Sequence, residues 1–146
     1  MRIGNWIFVH GGLLPNHIES NSIHSINNQI RDLLLGNRDI NNISNNFRDL
    51  LFSKNGFLWN RVYSGNTNSD FKKCATLNKT LEILNIGKKG GMVVGHTPQT
   101  NISSVCDNRL WMADVGMSTA FGNKYESSDR VEILEIINDG EIVRAI

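Results

Sequence analysis

Net charge is nearly absent from this sequence: 15 lysines and arginines against 14 aspartates and glutamates leave +1 at pH 7. So close a balance projects no long-range field toward a polyanion or an anionic surface, and nothing in it points to nucleic-acid or membrane partners. No apolar run approaches the roughly 20 residues that span a bilayer. The opening stretch MRIGNWIFVH interrupts its apolar residues with Asn, Trp and His, so it lacks the apolar core of a secretion signal. Cysteine is scarce too. Cys74 and Cys106 stand alone with no Cys-x-x-Cys spacing, which argues against a disulfide framework and against a thiolate zinc site. They read as free thiols in a reducing interior, and the expected location is cytoplasmic.

What is abundant is asparagine, 20 of 146 residues, a compositional bias that makes the Asn-x-Ser/Thr triplets at Asn42, Asn78 and Asn101 unremarkable. A chain of this length suits one domain, whose folding removes roughly two-thirds of the unfolded surface from water. Residues 3 to 10 form an apolar run rich in Ile, Trp, Phe and Val that predicts a buried strand, stopped by GGLLP. Ile23, Ile26, Ile30, Leu33 and Leu34 then fall at helical spacing, with Gly36-Asn37 as the stop. A second helical stripe runs through Ile40, Ile43, Phe47, Leu50 and Leu51.

Residues 57 to 70 show no period and are crowded with turn formers, so they predict loop. Asp70 is placed to cap a helix whose apolar face is Phe71, Cys74, Leu77, Leu81 and Leu84, closed by Gly87. Three strands are expected after it, over 91–96, 109–116 and 130–137. Asp139-Gly140 reads as a two-residue hairpin link leading back into EIVRAI. The stretch GKKGG (87–91) lacks the Gly-Lys-Ser/Thr ending of a phosphate-binding loop.

Two histidines share one context. His10 ends an apolar strand and is followed by two glycines; His96 ends another, with Gly95 before it and Thr97-Pro98 behind. In open α/β sheets, sites gather where parallel strands end, and two imidazoles from separate strand ends can hold one metal ion. His17 and His24 lie in a polar helix start and on a helix face, where surface or local hydrogen-bonding roles suffice.

The segments IFVHGGLLP, GFLWNRVYS, MVVGHTPQ and WMADVGMSTAFG, in that order over residues 3 to 122, resemble successive motifs in the second half of calcineurin-like metallophosphoesterases, and most nearly those of the Shewanella-like branch of the phosphoprotein phosphatases. The resemblance implies an α/β fold, the C-terminal part of a four-layer αββα sandwich with mixed sheets, residues 1–146 making a single partial domain. It also implies that His10 and His96 ligate one of two divalent ions, manganese, iron or zinc. Arg61, in LWNR, would clamp phosphate oxygens in a bidentate fashion, or else is a loop arginine paired with a carboxylate. Asp114 would orient a metal-bound imidazole from behind, or is a plain structural aspartate.

The family's first-half motifs, Gly-Asp-x-His-Gly, Gly-Asp-x-x-Asp-Arg-Gly and Gly-Asn-His-Glu, do not occur in the sequence. With two nitrogen ligands for one ion and none for the other, metal binding by this chain is expected to be weak, and no catalytic residue is assigned. The expectation is a phosphatase-like portion that hydrolyses a phosphoprotein or small phosphomonoester only when a separately encoded N-terminal half supplies the remaining ligands. The alternative is an inactive remnant or a non-catalytic interaction module.

Overall fold

The structure is a computed structural model and describes residues 1–65, 69–118, 120 and 131–146. The first apolar run is a hairpin, not one strand. β1 (Arg2–Ile3) turns at Gly4, whose φ of 54° suits a residue without a side chain, into β2 (Trp6–Val9). Two parallel neighbours follow, β2 on β3 (Gly91–Val94) and β3 on β5 (Leu110–Met112), with β4 (Ser103–Val105) antiparallel at the far edge. The five strands lie in the order β1-β2-β3-β5-β4. β3 therefore has a partner on each side. β4 has no counterpart in the sequence reading because Ser103-Ser104 dilutes its apolar signal.

Strand residues alternate between two hydrophobic clusters, as the two-residue repeat of a pleated chain requires. Ile7, Val9, Met92, Val94, Leu110 and Met112 point into the larger cluster, and Trp6, Phe8, Val93 and Trp111 into the smaller. Helices fill the first side: α1 (Pro15–Ile18), α2 (Ile23–Leu34), α3 (Asn45–Phe52) and α4 (Asp70–Ile83), which supply Ile18, Ile26, Phe47, Leu51, Leu77 and Leu81. The second side is covered by the hairpin β6 (Leu134–Ile137) and β7 (Ile142–Ala145) through Leu134, Ile136 and Val143. The fold is α/β with a mixed sheet, arranged as helices, sheet and hairpin.

The helices begin where side-chain oxygens can satisfy free N–H groups: Ser22 Oγ accepts from Ser25 N at 3.0 Å, and Ser44 Oγ from Phe47 N at 3.2 Å. Three expectations shift in detail. Leu34 is 82% exposed, so the α2 stripe is narrower than the spacing suggests. Phe71 is 83% exposed, and the buried face of α4 runs instead through Lys73, Leu77, Thr80 and Leu81. Asp70 opens α4, and Ser69 holds the cap position.

Larger corrections concern the cysteines and the last turn. Cys74 on α4 and Cys106 in the β4–β5 turn form a disulfide, with Cα atoms 5.2 Å apart. Their separation of 32 positions hid the pairing, and closing such a loop contributes on the order of 3–4 kcal/mol through the unfolded chain. The ground for a reducing, intracellular setting is thereby removed. No helix among the described residues is long and apolar enough to cross a membrane. Ile137 pairs with Ile142, so the final hairpin has a four-residue loop, with Asn138, Asp139 and Gly140 all at positive φ. Of the strand expected over 130–137, residue 130 lies outside the described residues, as do residues 66–68 of the expected loop and positions 119, 121 and 122 of the last quoted motif.

Candidate metal centre

The three parallel strands β2, β3 and β5 each run out at the same edge, and each is followed within two residues by a titratable side chain: His10, His96 and Asp114. Together with Val9, Gly95 and Ala113 they line an open cleft of about 460 Å³. Chain topology alone creates this gathering, since parallel neighbours deliver their C-terminal ends side by side.

His10 Nε2 and His96 Nδ1 lie 2.9 Å apart, with ring centroids at 4.8 Å and planes inclined by 62°. His10 is exposed and His96 half-buried. Two nitrogens bound to one zinc-like ion at about 2.0–2.1 Å each stand about 3 Å apart when they subtend angles from square to tetrahedral. The pair thus fits as two ligands of one ion. Among the described residues, no third His, Cys, Asp or Glu joins them to make a set of three or more. The donor set fits half of a coordination shell.

The backbone at His96 is unusual. Gly95 N donates to His10 O at 2.8 Å, which ties the two histidine loops together. Thr97 N then donates to Gly95 O at 2.8 Å, closing a three-residue turn around His96, whose φ is 65°. A γ-turn of this hand is strained for a residue with a side chain, and such strain persists where surrounding structure imposes it. The His96 pKa is lowered: burial disfavours the charged ring most, with the Arg61 and His10 charges adding to it, against smaller opposing effects from the Trp59 backbone and Asp114. The neutral ring, the form that ligates metal, is favoured. Nε2 of His96 is buried without a hydrogen bond of good geometry, beside the Trp59 backbone that raises its basicity. An imidazole that ligates through one nitrogen characteristically turns the other toward such a backbone group.

The glycines behind His10 make room for residues 56 to 65. A Cβ on Gly11 would sit 2.8 Å from Asn60 O, and one on Gly12, at φ 147°, would sit 2.5 Å from Tyr63 Cδ2. Phe57 O accepts from both Gly11 N and Gly12 N, at 2.8 and 3.2 Å. Buried Asn60 donates through Nδ2 to Gly12 O (2.8 Å) and Gly56 O (2.9 Å). Tyr63 Oη donates to Leu13 O at 2.8 Å, and burial pushes its pKa up to about 12. Ser64 Oγ donates to Thr97 Oγ1 at 2.8 Å. What the sequence presents as an aperiodic loop is a strap fastened to both histidine loops. It carries exposed Arg61, near enough for its charge to act on His96, and Trp59, whose ring meets the His96 ring edge-on at 5.5 Å and 83°.

Asp114 stands near His96, and its Oδ1 accepts from Gly116 N at 3.0 Å. Of the predicted site residues the structure brings together His10, His96, Arg61 and Asp114. Sequence reasoning missed Trp59, although it sits in the quoted LWNR motif; an aromatic two positions before the arginine was the available signal. His24 lies apart on α2, hydrogen-bonded to Asn28 at 2.9 Å. His17 is buried rather than at the surface, with Nδ1 accepting from Leu14 N at 3.1 Å and Nε2 bonded to Asn55 O at 2.8 Å.

Comparison with known proteins gives a consistent relationship. The chain is 33% identical to protein R398 of Acanthamoeba polyphaga mimivirus over 94% of its own length and 62% of that protein. It is 30% identical to Shewanella-like protein phosphatase 2 of Arabidopsis thaliana over 96% of itself and 33% of the plant protein, and 33% identical to Shewanella-like protein phosphatase 1 of Plasmodium berghei over 90% of itself and 36% of that protein. Among solved structures, the cold-active protein-tyrosine phosphatase of a psychrophilic Shewanella superimposes with a TM-score of 0.63 at 22% identity, over 92% of this chain and 36% of that one. No protein-family model matches the sequence. The chain spans about a third of the length of these phosphatases and under two-thirds of the viral relative.

Proposed function

We propose, from this relationship to the Shewanella-like protein phosphatases, that the chain is one portion of a metal-dependent phosphoester hydrolase. The observation that carries the reading is the approach of His10 Nε2 to His96 Nδ1 at the ends of two adjacent parallel strands. Two neutral imidazoles so placed supply two ligands to one divalent ion, manganese, iron or zinc. When bound, a pair of such ions lowers the pKa of water and stabilises the phosphoryl oxygens. Arg61 presents a planar cation to those oxygens, and Asp114 supports His96 from the neighbouring strand end. The remaining ligands come from a second polypeptide segment that carries the three absent motifs, and the substrate is a phosphoprotein or small phosphomonoester.

A second reading is favoured by the two-ligand donor set: a non-catalytic interaction module or remnant of the same fold. Co²⁺ titration followed by visible absorption and by tryptophan emission separates the readings at their root. In the first, Co²⁺ binds weakly and is released by a chelator; binding disappears in His10→Ala and His96→Ala and persists in His24→Ala. Equal binding by all four proteins overturns it. Adding a polypeptide that carries the three motifs should then produce manganese-dependent hydrolysis of p-nitrophenyl phosphate; no turnover favours the module.

A further inference from the structure

We propose that the outward face of the final hairpin is a docking surface for a second copy of this chain. The register pairs Leu134 with Ala145, Glu135 with Arg144, Ile136 with Val143 and Ile137 with Ile142. Ile133 and Ile146 continue it by exchanging backbone hydrogen bonds at 2.8 and 2.9 Å. Cross-strand partners share a face, and successive residues alternate between faces. Leu134, Ile136 and Val143 pack on the smaller cluster, so Ile133, Glu135, Ile137, Ile142, Arg144 and Ile146 point away from it. Ile133 and Ile146 are each 57% exposed and Ile142 46%. The face thus has three rows: an isoleucine pair, a glutamate beside an arginine, and another isoleucine pair. None of these residues lines the cleft at the strand-end histidines, and the proposal is independent of the phosphoester reading.

The middle row decides the occupant. Arg144 Nε donates to Glu135 Oε2 at 2.7 Å, and among the described residues nothing else is bonded to the Arg144 Nη groups or to Glu135 Oε1. An apolar covering would strip water from an ion pair whose bonding is half complete. A second copy completes it. A two-fold axis running along the hairpin, between its strands, turns the face onto itself, so that Ile133 meets the partner's Ile146, Ile137 the partner's Ile142 and Glu135 the partner's Arg144. The unused donors on each side then face the unused acceptor on the other, and four charges alternate in sign. A two-fold axis across the strands would instead set Glu135 against the partner's Glu135. The hairpin is already fixed at its loop, where Asp139 Oδ1 accepts from Asn5 N at 2.7 Å and Lys89 Nζ lies 3.1 Å from Glu141 Oε1, so docking orders little backbone. Three rows on two strands bury less than the roughly 1,200 Å² of a stable interface, so the dimer is weak and concentration-dependent.

Sedimentation equilibrium of the whole chain from about 5 to 500 µM should show a reversible monomer–dimer equilibrium with a Kd in roughly that range. Ile142→Asp should weaken it at least about tenfold. Glu135→Arg and Arg144→Glu should each weaken it as much, because like charges then meet. An equimolar mixture of those two variants should associate at least as tightly as the parent, since the two substitutions place opposite charges across the contact. Each variant has lost its own internal ion pair, so recovery on mixing reports the contact between chains. Circular dichroism checks the fold of each. A parent chain that stays monomeric throughout, a dimer that survives Ile142→Asp, or a mixture no tighter than its separate components overturns the proposal. So does a chain monomeric alone that binds the motif-bearing polypeptide and loses that binding in Ile142→Asp, since the face then belongs to that partner.

Discussion

Two histidine environments in this molecule, already unlike in sequence, differ in every physical respect. His17 is 1% exposed, has both ring nitrogens bonded to backbone, and sits in a short helix behind the sheet. His96 is half-exposed at a strand end, in left-handed backbone, facing a second imidazole, with one nitrogen buried and unbonded. A histidine whose hydrogen bonds are complete within the fold stabilises that fold. One held under strain with its bonding incomplete is available to something outside it.

The comparison predicts opposite signs on substitution. The largest effect belongs to His17→Ala, which strands Leu14 N and Asn55 O and opens a cavity; it should cost about 2–4 kcal/mol, read from urea unfolding. A loss under about 0.5 kcal/mol would dissolve the contrast. Gly12→Ala comes next. Its Cβ would meet Tyr63 and Asn60 in a conformation side chains resist, and a cost of about 1–3 kcal/mol is expected, with the strap displaced and Co²⁺ binding weakened.

Acid sharpens the contrast further. Burial lowers the His17 pKa, with the Asn55 carbonyl opposing it less strongly. Above the unfolded value of about 6.5 both states are neutral there and the full stability is present. As pH falls below it the unfolded chain takes up a proton the folded one resists, so stability drops, by at most about 1.4 kcal/mol per pH unit from this site. Comparing the parent with His17→Gln between pH 7.5 and 5 isolates the effect; equal slopes would remove His17 as its source. The smallest change is at His96→Gly, which relieves positive-φ strain but gives up ring contacts with His10 and Trp59. Stability should hold or rise by up to about 1 kcal/mol, while Co²⁺ binding is lost.

How much could be read in advance varies with the range of the interaction. The strands around 6–9, 91–94 and 110–112 and the helices at 23–34, 45–52 and 70–83 were legible because each is a local period of apolar residues. So was the pairing of His10 with His96, through matched strand-end contexts and the resemblance of four ordered motifs. The Cys74–Cys106 link was not legible, since one cysteine lies in a helix and the other in a turn of three positive-φ residues, 106 to 108. Nor was the burial of His17, whose partner carbonyl comes from Asn55, 38 positions away.

The sequence by itself determined most of the strands and helices, and that two histidines each end an apolar strand, because periodicity and punctuation act over a few residues. Only the tertiary structure decided that residues 56 to 65 strap both histidine loops, that Trp59 stands open beside His96 while Trp6 and Trp111 are sealed, and that the two cysteines meet. Those outcomes depend on backbone hydrogen bonds and close approaches between distant parts of the chain, which no local pattern encodes.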